Sequence, residues 1–381
     1  MSTSPRYIAR PDWYASGSPH TLNATGEPLR WGVVATGNIA HTVTSELALL
    51  EDAVLQAVSS RSRGKAADFA AHFGFKRHYY DGGTMDSDAS GRRVGVNGDD
   101  GRASPGYLQL VQDPEVDVVY VATPHAQHYA VARAALEAGK HVLCEKALTI
   151  NVREAAELID LARERGLFLM EAVWARFVPG MQRAFEIAAS GEMGDVQWVQ
   201  ADLGFPAGTD RTARIWAPEA GGGALLDLTV YPLLWAWGTL GAPASVTASG
   251  TLTPWGVDSQ NAITLAYPSG ALAQLTSSLT AYGPRTAVVA GSKGFLRSTG
   301  SINNPTALEI QIGSEPARVE SFDFPGRGYT YQLREVTRCI QQGLTESPTM
   351  PLADSLAIMA LFDGVRGQLG ITYPADATSA G

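Results

Sequence analysis

The sequence predicts an α/β protein in two parts: a doubly wound parallel sheet over residues 29–172, then an α+β domain over 173–381 built on a mostly antiparallel sheet. Two textures predict this. Up to Ala172, short apolar runs alternate with stretches of helical spacing, the pattern of parallel strands whose helices return the chain. Beyond it, apolar and polar residues alternate singly between Gly/Pro turns, as in strands that bury one face. At 381 residues and 45% hydrophobic content, the chain is long enough to bury two cores.

Residues 1–28 are rich in Ser, Pro and Thr without a period, and read as a flexible leader; an arm whose Tyr7, Trp13 and Tyr14 dock on a neighbouring subunit is the alternative. Strands are expected at 32–36, 53–59, 116–122, 141–144 and 167–171, with helices at 39–50, 63–73, 129–138 and 151–165 between them. The segment 81–106 interrupts this order. It holds seven Gly and five Asp and no aromatic residue, so it reads as a surface insertion unable to bury a core of its own. Within it, Asp86-Ser-Asp88-Ala-Ser90-Gly91 imitates half of a calcium loop, but Asn97 stands where the closing Glu belongs, so calcium is not expected. In the second domain, strands are expected at 192–205, 244–255, 261–267, 271–280, 285–290 and 307–312, and helices at 331–342 and 353–369.

A net charge of −9 with no Lys/Arg stripe argues against a nucleic-acid partner, because phosphate binding needs a basic face. Neither an eighteen-residue apolar run nor a charged n-region before an apolar core is present, so a membrane span and a secretory signal are not expected and a cytoplasmic location is. Cys144 and Cys339 read as reduced core thiols.

The chemistry concentrates in four places. Trp31-Gly-Val-Val-Ala-Thr-Gly-Asn-Ile-Ala40 reads as strand, glycine turn and helix start, the cradle of a dinucleotide pyrophosphate. Gly37 takes the position of closest approach, flanked by Thr36, Asn38 and Ile39, while Ala35 stands where the pattern's first glycine belongs. The next strand ends at Ser60-Arg61, with no Asp or Glu for ribose hydroxyls. A hydroxyl beside a guanidinium suits a 2′-phosphate, which favours NADP over NAD; the other reading leaves Arg61 and Arg63 as solvated charges.

Thr123-Pro124-His125-Ala-Gln-His128 ends the third strand. Its two histidines lack a third metal ligand at suggestive spacing and read as lining a nicotinamide pocket. Cys144-Glu145-Lys146 follows at a later strand end, where open α/β sheets bind ligands. Burial beside a nicotinamide cation is expected to disfavour the Lys146 charge, suiting the amine to polarise a hydroxyl or move a proton. Finally, Gly221-Gly222-Gly223 precedes Asp227 and Tyr231, four apart and so on one helix face. The glycines are expected to let the chain approach a ligand, and Pro232 to kink the helix by depriving the Leu228 carbonyl of its partner. Tyr231 is the expected acid/base.

These motifs, together with Ala138-Gly-Lys-His-Val-Leu-Cys-Glu-Lys146 and Glu171-Ala-Val-Trp-Ala-Arg-Phe177, resemble the Gfo/Idh/MocA oxidoreductases, and among them the branch of dimeric dihydrodiol dehydrogenase and NADP-dependent D-xylose dehydrogenase. The resemblance covers nearly everything after residue 29. It implies a Rossmann domain followed by a domain with a large open sheet, and a homodimer or higher homo-oligomer formed through that sheet. It also implies Lys146 and Tyr231 as catalytic residues supported by Asp227, with Trp174 and Arg176 bordering nicotinamide and substrate. His125 and Phe205 would join them on the substrate side, and Thr123, Pro124, His128 and Glu145 on the cofactor side. Ala147 departs from the family's pattern, replacing the proline that commonly follows the lysine.

The expected reaction moves a hydride between the hydroxyl-bearing carbon of a sugar-like polyol or dihydrodiol and C4 of NADP, in either direction. Tyr231 exchanges the proton and Lys146 stabilises the oxyanion. A non-catalytic dinucleotide-sensing regulator on the same fold is the alternative; retention of both Lys146 and Tyr231 argues against it.

Overall fold

The computed structural model describes residues 21–82 and 104–377. Its first sheet is parallel and six-stranded, in the order β3-β2-β1-β4-β5-β6. The strands are β1 (Leu29–Val34), β2 (Ala53–Ser60), β3 (Arg77–Tyr80), β4 (Val118–Val121), β5 (His141–Glu145) and β6 (Leu169–Ala172). Helices α1 (Asn38–Leu47), α2 (Arg63–Phe73), α3 (Gly106–Val111), α4 (His125–Glu137) and α5 (Val152–Arg165) connect them. Strand order reverses between β1 and β4, and such a reversal opens a crevice beyond the strands' carboxyl ends. Sequence signals set the helix ends: Asn151 accepts the Glu154 N–H at the start of α5, and Gly166 closes it in the left-handed conformation.

Then follow α6 (Pro179–Ser190), β7 (Val196–Gly204), α7 (Ala224–Leu228) and α8 (Val230–Leu240). The rest of the second sheet is β8 (Ser245–Leu252), β9 (Asp258–Ala266), β10 (Leu272–Ser278), β11 (Ala287–Gly291), β12 (Gly294–Ser301), β13 (Asn304–Ile312) and β14 (Arg318–Ser321). It has eight strands, ordered β14-β13-β12-β11-β7-β10-β9-β8, all antiparallel except the parallel pair β7–β10. Helices α9 (Tyr329–Gln341), α10 (Leu352–Leu369) and α11 (Pro374–Ala377) complete the chain. One face of the sheet is buried; on the other, Trp198 and Leu272 lie side by side, 43% and 46% exposed.

Several elements were absent from the sequence reading. Helix α6 buries eight of its twelve residues, and its narrow polar stripe of Arg183, Glu186 and Ser190 is short of the length at which a period stands out. Strands β3 and β14 are only four residues long, too short for alternation to register. Helix α4 begins at His125, directly after Pro124, rather than at residue 129.

The leader expected through residue 28 also needs correction. Residues 21–28 are tied down: Arg334 donates to the carbonyls of Thr21 and Leu22, and the Thr25 N–H donates to Asp52, which pairs with Arg334 at 2.8 Å. The remainder of that leader, residues 1–20, lies outside the described residues. So do residues 83–103 of the expected insertion, including its calcium-like run. Its two ends meet, with the Gly82 N–H on the Ser104 carbonyl and the Gly106 N–H on Asp81, and Gly106 already belongs to α3.

Ala35 takes φ +90° in the turn after β1, where a side chain costs what glycine does not. Ala35→Gly is therefore expected to stabilise the protein by about 1 kcal/mol, net of the extra freedom glycine brings to the unfolded chain. Urea midpoints of the two proteins check this, and an unchanged or lower midpoint refutes it.

Candidate active site

At the head of α1, Gly37 has φ −80° and ψ −179°, a backbone any residue adopts, and a Cβ built on it would meet nothing within 4 Å. Glycine is thus required neither by conformation nor by a protein neighbour. The space beside it is open, and no side chain of the described residues caps the helix start that follows at Asn38 and Ile39. Thr36 Oγ1 donates to Ser60 Oγ at 3.2 Å, which clips the ends of β1 and β2 together beside exposed Arg61. The Arg63 guanidinium instead lies 5.5 Å from the Tyr80 ring centre. Thr123, two residues beyond β4, keeps a buried hydroxyl without a partner among the described residues. An anion-ready helix start, an open approach over Gly37 and the absence of an acidic residue at the end of β2 fit a nicotinamide dinucleotide.

Lys146 follows β5 and meets the second domain. Its Nζ donates to the main-chain carbonyl of Asp227 at 2.6 Å and lies 5.0 Å from the Tyr231 ring centre. Tyr231 is 8% exposed, and its phenolic oxygen accepts from Trp174 Nε1 at 3.0 Å, which leaves the phenol's own proton to give. Trp174 in turn stacks on Tyr329, with ring centres 4.3 Å apart. The peptide after the lysine, Lys146–Ala147, is cis, with alanine in place of the proline.

Electrostatics correct one expectation. Burial alone would lower the Lys146 pKa, but Tyr231, Asp227 and Glu145 outweigh it, so the pKa is raised and the ammonium is held. Burial raises the Tyr231 pKa against the opposing pull of Lys146, so the group at neutral pH is a phenol. Despite its burial, Asp227 is lowered to about 2 by Lys146 and Arg214 and stays ionised. Its carboxylate faces Arg214, Oδ1 to Nη1 3.1 Å.

Asp227 and Tyr231 do not share one helix. Asp227 is the last residue but one of α7 and Tyr231 the second of α8, with the break at Thr229, because Pro232 has no N–H for the Leu228 carbonyl. The glycine run has a different use from the expected one. A Cβ on Gly221 would crowd His125 and Ile150, one on Gly222 the carbonyls of Arg214 and Ile215, and one on Gly223 the Asp258 carboxylate. These glycines admit protein neighbours rather than a ligand.

Other sequence candidates are placed as follows. His125 and His128 are buried, and all four ring nitrogens lie on carbonyls: Gly221 and Lys146 for His125, Ala147 and Thr123 for His128. Burial lowers their pKa values to about 3 and about 4, so each ring is neutral and donates to only one of its two carbonyls, with the other nitrogen in contact alone; the two rings pack the Lys146 loop against α4. Glu145 accepts from Tyr120 at 2.6 Å. Phe205, just after β7, lies 6.0 Å from the Arg285 guanidinium. Arg176 is not brought to the cluster: it is fully buried and pairs with Asp354 at 2.5 Å, toward α10. Arg214 was missed, since a lone loop arginine carries no spacing signal. So was the buried set Asp258, Asn261, Thr229 and Ser277, in which Asp258 accepts the Leu225 N–H at the head of α7 and Thr229 at its end bonds Asn261 and Ser277.

Comparison with known proteins agrees with this geometry. Residues 29–173 match the model of the oxidoreductase family with an NAD-binding Rossmann fold, and residues 181–297 match the GFO/IDH/MocA C-terminal domain. The trans-1,2-dihydrobenzene-1,2-diol dehydrogenase of Bos taurus is 35% identical, over 91% of this chain and 99% of its own. The D-xylose 1-dehydrogenase (NADP(+)) of Hypocrea jecorina is 32% identical over 94% of this chain and 95% of its own. Among solved structures, a 3-ketoreductase from Actinomadura kijaniata in complex with NADP and TDP-benzene superposes with TM-score 0.74 at 26% identity, covering 90% of this chain and 98% of that one. Two matched family domains and relatives aligned over nearly their whole lengths show that the chain belongs to the Gfo/Idh/MocA family of oxidoreductases.

Proposed function

We propose that the protein is an NADP-dependent dehydrogenase or reductase of sugar-like polyols or dihydrodiols, with Lys146 and Tyr231 as its catalytic residues and Asp227 in support. The observation that supports the reading is the meeting of Lys146 Nζ with the Asp227 carbonyl and the Tyr231 ring, the lysine standing just beyond the carboxyl end of β5 in the same parallel sheet that leads into α1. The dinucleotide, when bound, supplies or accepts hydride at nicotinamide C4. Gly37 with the amides of Asn38 and Ile39 would hold its pyrophosphate, Thr36, Ser60 and Arg61 its adenosine end, and Thr123, Pro124 and Trp174 its nicotinamide side.

In the direction of carbonyl reduction, Tyr231 donates its proton to the substrate oxygen while the Lys146 ammonium stabilises the developing charge. Asp227 fixes that ammonium through its main-chain carbonyl. Oxidation reverses these roles. The dihydrodiol and xylose dehydrogenases that the chain resembles favour a hydroxyl-bearing carbon as the reacting centre. A non-catalytic sensor would have no use for a buried phenol held against an ammonium. The paired Trp198 and Leu272 on the sheet's outer face support a homo-oligomer formed through that sheet. A cytoplasmic location belongs to the same reading, and among the described residues no helix is long and apolar enough to cross a membrane.

Cofactor choice is tested at Arg61. Arg61→Ala is expected to weaken NADP by about 1–3 kcal/mol, the worth of a charge-assisted phosphate contact, while NAD binding changes little. Fluorescence titration with both reduced dinucleotides measures this; equal losses refute the NADP assignment. Turnover of a panel of aldoses, polyols and dihydrodiols tests the reaction itself.

A further inference from the structure

We propose that Arg214 is a specificity-determining residue that, together with Asp227, takes the hydroxyl adjacent to the reacting carbon, so that the enzyme selects vicinal diols over mono-alcohols. The inference rests on the dehydrogenase reading above and goes beyond it by naming how one substrate class is chosen.

Arg214 opens the tight helical turn Arg214–Trp216, which is pressed onto the glycine run: a Cβ on Gly222 would stand 2.6 Å from the Ile215 carbonyl oxygen and 2.8 Å from that of Arg214. The turn is thereby seated immediately beside α7. From there the side chain reaches Asp227, Nη1 to Oδ1 3.1 Å, and its charge acts on His125, Glu145 and Lys146 as well. Within this group Arg214 is the member facing solvent. Its side chain is 54% exposed, against 11% for Asp227, while His125 and Glu145 are buried. A guanidinium carries five N–H donors, and the Asp227 contact occupies only one of them, at Nη1, so this exposed side chain has donors left for a ligand.

The pair has a defined chemical complement. Asp227 offers an ionised acceptor and Arg214 a donor, side by side. A hydroxyl, which donates and accepts at once, satisfies both, whereas a carboxylate or phosphate would be repelled by Asp227. Asp227 lies one turn of chain before Tyr231 and holds Lys146 by its carbonyl, so this hydroxyl-matched pair borders the place where the reacting oxygen sits. The oxygen within reach of both is the one on the neighbouring carbon.

The test compares two probe pairs, D-xylose with 2-deoxy-D-xylose and trans-1,2-cyclohexanediol with cyclohexanol, on wild type, Arg214→Ala and Arg214→Lys, with NADP Kd measured on the same preparations. For at least one pair, wild type is expected to prefer the diol by about tenfold to a hundredfold in kcat/KM, the worth of one charge-assisted hydrogen bond. In Arg214→Ala that preference falls to within about threefold, the loss lying in KM for the diol, while NADP Kd is retained; Arg214→Lys, which keeps the charge but not the fork, is intermediate. An unchanged preference in Arg214→Ala, or an equal fall in kcat on both members of a pair, overturns the proposal. Turnover of none of the four compounds by wild type overturns the dehydrogenase reading, and the proposal with it.

Discussion

Replacing Tyr231 with Phe is expected to lower kcat by about a hundredfold to ten-thousandfold, the usual worth of a positioned acid/base, while leaving cofactor binding nearly unchanged. The ring keeps its place against Trp174 and beneath the Lys146 ammonium, so only the exchangeable proton and the bond from Trp174 Nε1 are lost. Lys146→Ala should be comparably damaging, and the double variant little worse than either single one, because groups that act as a unit are not additive. The pKa directions add a second readout. Burial keeps Tyr231 protonated through neutral pH, so carbonyl reduction is supported there, and the rate of alcohol oxidation should climb as pH rises toward the raised phenol pKa. Single-turnover rates for the three variants, with pH profiles in both directions, decide the assignment. Near-normal kcat in Tyr231→Phe removes Tyr231 from the chemistry.

The largest expected loss of stability lies well away from this site. Asp52→Ala should destabilise the protein by about 3–5 kcal/mol, since it leaves the Arg334 guanidinium buried without its carboxylate. Asp52 is fully buried and accepts from Arg334, from the Thr25 N–H and from Gln341. Burial would raise its pKa, but those hydrogen bonds outweigh it and the pKa is lowered. A carboxylate with a depressed folded pKa stabilises above its unfolded value, near 4, and loses that contribution as pH falls through the folded one. Denaturant midpoints of wild type and Asp52→Ala should therefore differ strongly at pH 7 and converge below about pH 4. A constant difference across that range refutes the linkage.

Lys146 and Tyr231 were legible because each is announced locally, one by a strand end and the other by a glycine run before a helix. What each touches was not. Asp227 serves Lys146 through its main chain, and a sequence identifies side chains, not the carbonyl a fold will present. Arg176 was placed at the pocket by the resemblance alone; its partner Asp354 is 178 residues away and no local pattern points to it. The glycines were correctly singled out but given the wrong reason, since their crowding neighbours His125, Arg214 and Asp258 come from distant elements. Parallel strands β1, β2, β4 and β5 were clear from their apolar runs. In the second domain, β12 was lost because Arg297, Ser298, Thr299 and Ser301 leave it few apolar positions to mark an alternation.

The bond from Lys146 to Asp227 also spans a seam. The lysine follows a strand of the first sheet and the carbonyl belongs to a helix packed on the second, so the proposed catalytic groups hold their registry only while the two halves hold theirs. Glu46 on α1 in turn accepts the N–H groups of Arg327 and of Thr330 in the first turn of α9, which packs on α1. On the proposed reading, turnover in such an architecture gauges alignment rather than foldedness: gentle warming or dilute denaturant that loosens the seam is expected to extinguish activity while both sheets still give their full circular-dichroism signal.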